Sequence, residues 1–240
     1  MGMQCRIYYY GEQAKIVWFK HGINRKKDDI DLSAFGITEP VGNDEKLSNN
    51  IARARGRVLE LALCNPWEWF VTLTLDGDKQ NRSDLDSFIK DLGNWIGNFN
   101  RKYQCNMKYI LVPELHKDGK SWHMHGLFHG VPDAALVRNE HGYWDIPYYR
   151  NRFGYISLSA VRDHERVSHY ITKYISKSMS ARVGDMAKHL FYSSRGLEGK
   201  VLALESAHIP VVDGAYESDY TVSKWVSSPE ELAQILAAMD

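Results

Sequence analysis

Cysteine is scarce in this 240-residue chain, and the three present, Cys5, Cys64 and Cys105, never fall in a C-x-x-C spacing. Odd in number and scattered, they indicate neither a disulfide framework nor a cysteine zinc site. Long apolar runs are missing too: no stretch approaches the roughly 18 uncharged apolar residues that a membrane helix needs. The opening "MGMQCRIYYY" lacks the apolar stretch and small-residue cleavage site of a secretory leader. The expectation is therefore a cytoplasmic protein with no membrane partner. Neither a Walker A loop nor a G-x-G-x-x-G occurs, so no nucleotide cofactor is indicated. Net charge is absent as well, because 30 basic side chains cancel 30 acidic ones.

What the chain does hold is enough for a packed core. Hydrophobic residues make up 44% and aromatics 12%, and the length suits one sizeable domain with additions or two small ones. The charge is unevenly placed. Residues 150 to 200 carry ten Lys/Arg against four Asp/Glu, whereas residues 201 to 240 carry one Lys against seven acids. A basic middle of this kind is either an unevenly solvated surface or a face that holds phosphate backbones.

Strand and helix signals alternate along the chain. "CRIYYY", "KIVWF", "WFVTLTL", "MKYILVP", "WHMHGLF", "YISL" and "VLALE" are β-type runs. "KLSNNIARARGRVLELAL" suits a helix with a basic side formed by Arg53, Arg55 and Arg57. Ser83 is placed to cap a second helix, whose apolar positions Leu85, Phe88, Ile89, Leu92, Trp95, Ile96 and Phe99 follow helical spacing. "HERVSHYITKYISKSM" reads as a third. "SPEELAQILAAM" reads as a last, with Ser228 as cap and Pro229 at its first position. The order argues for an α+β class: a central, mainly antiparallel sheet with packed helices.

That class gives meaning to "SWHMHGLFHG". Successive side chains of a strand point to opposite faces, so His123 and His125 share one face while Met124, Gly126 and Phe128 take the other. Two imidazoles about 7 Å apart on one face can converge on a single ion. Glu114 ends the preceding strand, and a hairpin turn at Asp118-Gly119 brings it beside the histidines. Two neutral nitrogens and one carboxylate make a site for Mn²⁺ or Mg²⁺ acting on phosphate, with the nitrogens favouring Mn²⁺. His116 competes as third ligand but sits nearer the turn, where exposure is expected. The patterns around other histidine-pair metal sites, an Asp-His after the second histidine or a Glu a few residues on, do not occur.

A second constellation is "HYITKYISK". Helical geometry places Tyr170 and Tyr174 about 40° apart and about 6 Å apart along the axis. Lys173 and Lys177 flank that stripe on one side, with Val167, Ile171 and Ile175 on the other. The pattern suits an amphipathic helix with boundary tyrosines. It equally suits phenols made nucleophilic by nearby ammonium groups and a cation on the phosphate.

Taken in order, the strand "FVTLTL", the hairpin carrying Glu114, His123 and His125, and the doubled "YITKYISK" resemble the HUH endonuclease superfamily over about residues 66 to 200. Tyrosines placed after the histidines, each followed by a lysine, resemble the two-tyrosine rolling-circle replication initiators of small phages and plasmids. The resemblance implies an HUH, ferredoxin-like nuclease fold. It also implies a divalent metal on Glu114, His123 and His125, and Tyr170 and Tyr174 as nucleophiles with Lys173 and Lys177 assisting. The expected activity is nicking and rejoining of single-stranded DNA at an origin or origin hairpin through a 5′-phosphotyrosine. It would act in the cytoplasm of a bacterial or phage-infected cell, with a separate helicase and polymerase. A two-tyrosine transposase and a non-catalytic nucleic-acid-binding module stay open beside it.

The expected organisation is an N-terminal extension over 1–64, a nicking domain over 65–200 and an acidic extension over 201–240. Arg53, Arg55 and Arg57 are candidate DNA contacts in the first of these.

Overall fold

The computed structural model describes residues 3–23, 43–175, 189–218 and 220–237. The chain divides into two compact units, Asp44–Leu197 and the combination of Met1–Asn43 with Glu198–Asp240. The two ends, expected as separate extensions, thus supply strands to one sheet. Among the described residues, no helix is long and apolar enough to cross a membrane.

The unit built from the ends holds a five-stranded antiparallel sheet. Strands β1 (Met3–Tyr10) and β2 (Gln13–Phe19) pair as a hairpin. Three strands from the far end join them: β10 (Val201–Ile209), β11 (Tyr216–Glu217) and β12 (Thr221–Val226), in the order β10-β1-β2-β12-β11. Alternation along β2 buries Ala14, Ile16 and Trp18 on one face. There they pack with Cys5, Ile7, Ile209, Val222, Val226 and with Leu232 of the last helix, α5 (Pro229–Ala237). The Trp18 indole N–H donates to the Ile209 carbonyl at 3.0 Å, tying the start of the chain to its end. Ser228 caps α5 as the sequence suggests, its Oγ accepting from the Glu231 N–H at 3.1 Å.

The central unit is α+β as expected, with a seven-stranded antiparallel sheet between helices. Its elements are α1 (Asn43–Cys64), β3 (Trp69–Thr74), α2 (Leu85–Tyr103), β4 (Lys108–Leu115) and β5 (Trp122–His129). They are followed by β6 (Val137–Arg138), β7 (Trp144–Asp145), α3 (Pro147–Arg152), β8 (Ile156–Ala160), α4 (His164–Ile171) and β9 (Tyr192–Ser193). The strand order is β6-β7-β8-β3-β5-β4-β9, so β3 and β5 lie side by side near the middle.

Alternation gives this sheet two different faces. Val71, Leu73, Leu111, Met124, Phe128 and Leu158 pack on α2 through Phe88, Leu92, Trp95 and Phe99. Ile110, Val112 and Leu127 face the other way, toward Val58 and Leu61 of α1 and Ile171, Tyr174 and Ile175. The cap of α2 corrects one expectation. Asp84, not Ser83, accepts the Ser87 N–H, at 3.0 Å, while the Ser83 hydroxyl turns back to Asn81 at 2.8 Å. A charged carboxylate at the positive helix end outcompetes a neighbouring hydroxyl that finds a local partner.

The third helix also departs from expectation. Its hydrogen-bond ladder ends at Ile171, although Thr172 keeps right-handed helical angles (φ −66°, ψ −20°) and residues 173–175 are again helical. The Thr172 hydroxyl donates to the His169 carbonyl at 2.8 Å, the back-bonding by which threonine interrupts or bends helices. The rest of the expected helix, including Lys177, lies outside the described residues.

Candidate active site

Three strands build the site through their register. Thr74 and Glu114 both lie opposite His123, on β3 and β4 respectively, and Thr72 and Val112 lie opposite His125 in the same way. Phe70, Leu127 and Ile110 make the next row toward the core. The face therefore grades from apolar to polar along the strands, and the histidines stand at the change. Gly126 follows immediately: a Cβ there would lie 2.3 Å from the Ile110 carbonyl oxygen. Glycine is thus what lets β4 and β5 approach closely beside His125. The turn behaves as the sequence suggests, with Gly119 at φ +68° and Asp118 accepting the Lys120 and Ser121 N–H groups at 2.8 Å each. The Ser121 hydroxyl first, and then those two bonds, hold the Asp118 carboxyl well below the usual carboxylate range.

Each imidazole is held at Nδ1 by a threonine hydroxyl, Thr72 Oγ1 to His125 at 3.2 Å and Thr74 Oγ1 to His123 at 3.1 Å. His125 Nε2 lies 2.7 Å from Glu114 Oε2. His123 Nε2 is buried and has no hydrogen-bond partner among the described residues. Burial, and then the charges of His116 and Arg82, push the His123 ring below the usual histidine pKa, against the opposing pull of Glu114 and Asp118. The neutral form is favoured, which is the form that ligates metals. His116 stacks on His123 with ring centroids 5.0 Å apart, but its side chain is half exposed and its Nδ1 lies 3.8 Å from Asp118 Oδ2.

The tyrosines meet this face from α4 and the turn after it. Tyr174 lies flat on the His125 ring, centroids 3.9 Å apart and planes 17° from parallel, and its hydroxyl donates to the Tyr170 oxygen at 2.9 Å. Phe70 packs beside both, at 6.3 Å from Tyr174 and 5.5 Å from Tyr170. The two phenols differ in access: Tyr170 is 42% exposed and Tyr174 only 7%. Burial first, then the bond to Tyr170, raises the Tyr174 hydroxyl well above the usual tyrosine pKa. The Lys173 ammonium sits 5.0 Å from the Tyr170 ring centre.

The structure thus brings Glu114, His123, His125, Tyr170, Tyr174 and Lys173 to one end of one sheet face. Arg53, Arg55 and Arg57 are exposed on α1, yet they do not form one side as expected. At about 100° per residue Arg55 lies roughly 160° from both Arg53 and Arg57, and Arg57 is ion-paired with Glu60. The basic middle is partly neutralised locally, Arg150 pairing with Asp145 at 2.6 Å and Arg152 with Asp91 at 3.3 Å.

Sequence reasoning did not single out Phe70, Thr72, Thr74 or Arg82 as site residues. The alternating threonines of "FVTLTL" were a legible signal, since i, i+2 on a strand shares a face. Arg82, whose carbonyl accepts the Trp122 N–H at 2.9 Å and whose Nε is buried without a hydrogen-bond partner among the described residues, carries no such signal.

Among the described residues, no three His, Cys, Asp or Glu side chains stand ready-made around a metal position. The donor chemistry nevertheless fits a divalent ion. Two imidazoles anchored at Nδ1 have Nε2 as their remaining ring nitrogen, a carboxylate lies beside them, and the orphaned Nε2 of His123 is a buried polar atom that a cation would satisfy.

No curated protein and no solved structure matches the chain. Residues 68–179 match the family model for replication-associated protein ORF2/G2P, a span that lies within the central unit and includes all six of the residues brought together here. The stretch that carries the histidine pair and the two tyrosines is therefore similar to the replication-associated proteins of the ORF2/G2P family, which supports a role in replication.

Proposed function

We propose that this protein nicks and rejoins single-stranded DNA with a tyrosine nucleophile and a divalent metal, opening and closing rounds of rolling-circle replication. One observation carries the reading: two tyrosines joined hydroxyl to hydroxyl at 2.9 Å meet the face of a strand-borne histidine pair, the Tyr174 ring stacked with its centroid 3.9 Å from that of His125. A purely structural tyrosine pair has no need of that neighbour, and a purely structural histidine pair has no need of Glu114.

Glu114, His123 and His125 would hold the ion, with Mn²⁺ or Mg²⁺ as candidates. When bound, it supplies Lewis-acid polarisation of the scissile phosphate. Tyr170, the exposed phenol, attacks phosphorus. Its proton passes to solvent, the bond to the 3′ oxygen breaks, and that oxygen leaves as a hydroxyl after taking up a proton. The 5′ phosphate stays on the tyrosine, so the bond energy is kept for joining. Tyr174 steadies the Tyr170 oxygen by its hydrogen bond and serves as the second nucleophile at the end of a round. Lys173, beside the Tyr170 ring, and Lys177 are placed by the sequence to balance phosphate charge.

The test is a nicking assay on a mixed pool of single-stranded circles and origin-type hairpins, with and without Mn²⁺. His123→Ala, His125→Ala and Glu114→Ala should each cut nicking by at least a hundredfold while the thermal transition persists, and His116→Ala should be nearly silent. A 3′-labelled strand should become an SDS-resistant band and a 5′-labelled one a free fragment. Label retained the other way round rules out this chemistry, and binding without any nicking returns the protein to a nucleic-acid-binding module.

A further inference from the structure

The strand neighbours of the two histidines are alike in a way that the apolar core does not require. β3 reads Trp69-Phe70-Val71-Thr72-Leu73-Thr74, and the residues sharing a face with Phe70 are both threonines. Register sets each threonine directly opposite one histidine, Thr72 to His125 and Thr74 to His123. In both pairs the contact is hydroxyl to Nδ1, at 3.2 Å and 3.1 Å. Repetition of the same atom pair in two successive rows argues for a shared task.

We propose that Thr72 and Thr74 are the positioning residues of the histidine pair, each hydroxyl holding Nδ1 of the opposite imidazole so that Nε2 faces a bound divalent ion. The proposal rests on the metal-dependent reading above. Threonine suits the task on two counts. Its χ1 is stiff, so the oxygen is fixed by the strand itself. A hydroxyl also both donates and accepts. It accepts from Nδ1–H when Nε2 is a ligand, and donates to Nδ1 when Nε2 carries the hydrogen, as in a neutral His125 donating to Glu114. A carboxylate or carbonyl in the same place would accept only, fixing one tautomer. The threonines keep ring orientation constant while the tautomer changes.

The two pairs are not equally dependent on this contact. His125 is also gripped by Glu114 at 2.7 Å and by the Tyr174 ring stacked on it. His123 has its orphaned Nε2 and, among the described residues, shares its side-chain hydrogen bond with Thr74. Loss of the Thr74 hydroxyl should therefore weaken metal binding more than loss of the Thr72 hydroxyl.

The experiment measures Mn²⁺ binding to the full chain, without DNA, by the electron paramagnetic resonance signal of free Mn²⁺. Valine keeps shape and β-branching, and serine keeps the hydroxyl. Thr74→Val should weaken Mn²⁺ binding by about 10–100-fold, the usual cost of losing a residue that orients a metal-bound histidine. Thr72→Val should weaken it less, and both serine variants should restore most of it. Thr74→Val that binds Mn²⁺ as the parent does, or serine variants no better than valine in a folded protein, overturn the proposal. A parent chain that binds no Mn²⁺ removes the metal reading and the metal part of this one. The threonine–histidine coupling is then decided separately by imidazole nitrogen shifts in metal-free protein, where an unchanged His123 ring in Thr74→Val overturns that part as well.

Discussion

Tyr170 and Tyr174 share a hydrogen bond but not an environment. A phosphate can reach Tyr170, which is 42% exposed, whereas Tyr174 is 7% exposed under the imidazole and Phe70. The Tyr174 proton is also held firmly, because burial and the bond to Tyr170 both favour the neutral phenol. On the proposed function, Tyr170→Phe should therefore abolish the covalent adduct of the first nick. Tyr174→Phe should leave that adduct but impair release of closed circles, and should cost about 1 kcal/mol of stability for the lost bond. The double variant should form no adduct. Yields of SDS-resistant product and of closed circles check all three, and a Tyr170→Phe protein that nicks at the parent rate reverses the order. At this scale the sequence was informative where chemistry repeats at short spacing. The i, i+2 histidines and i, i+4 tyrosines needed only one strand and one helix to be placed, whereas Thr72 and Thr74 acquire meaning from partners 53 and 49 residues away.

Individual elements show the same division between local and distant causes. The hairpin from β4 to β5 was readable because Asp118-Gly119 fixes it with its own atoms, and Glu114 reached His123 as a result. The depressed Asp118 pKa has a testable sign. An acid whose folded pKa lies below its unfolded value of about 3.9 adds stability above that value, and the contribution is lost as pH falls toward the folded value. The parent protein should lose stability progressively from about pH 4 downward, and Asp118→Asn should flatten that limb in acid titrations followed by circular dichroism. Gly126 makes a second case. An alanine Cβ would fall 2.3 Å from the Ile110 oxygen and 2.5 Å from Leu111 Cδ2, so Gly126→Ala should cost about 1–3 kcal/mol in denaturant unfolding. It should also disturb His125, its chain neighbour. The Ser83 expectation failed because two adjacent residues both qualify as caps by type. The break at Thr172 was hidden because Thr fits an amphipathic pattern until its hydroxyl finds the His169 carbonyl.

For the molecule as a whole, sequence order was a poor guide to grouping. Runs at the two ends read correctly as strands, yet nothing local says that β1 pairs with β10 or β2 with β12. Such pairings bring together residues about two hundred positions apart, Cys5 with Ala207 for instance, and no periodicity encodes a partner at that distance. Trp18 joins the two ends directly, being fully buried with its indole on the Ile209 carbonyl. Trp18→Ala should cost about 3–5 kcal/mol, and hydrogen exchange should speed up in β1, β2, β10 and β12. Amides of β3 to β5 should keep their protection, since they lie in a separate compact unit. Equal acceleration in both would show that the units unfold together.

The same arrangement has a consequence in time. A ribosome delivers β1 and β2 first and β10 and β12 only after the whole central unit has been made. At about 5–20 residues per second that interval is roughly ten to forty seconds, and a lone two-stranded hairpin is marginally stable in water at best. The segment that carries the histidines and tyrosines is thus complete and folding while the first hairpin still waits for its partners. Nascent chains halted just after Leu197 should already be protease-resistant over the central strands and sensitive in β1 and β2.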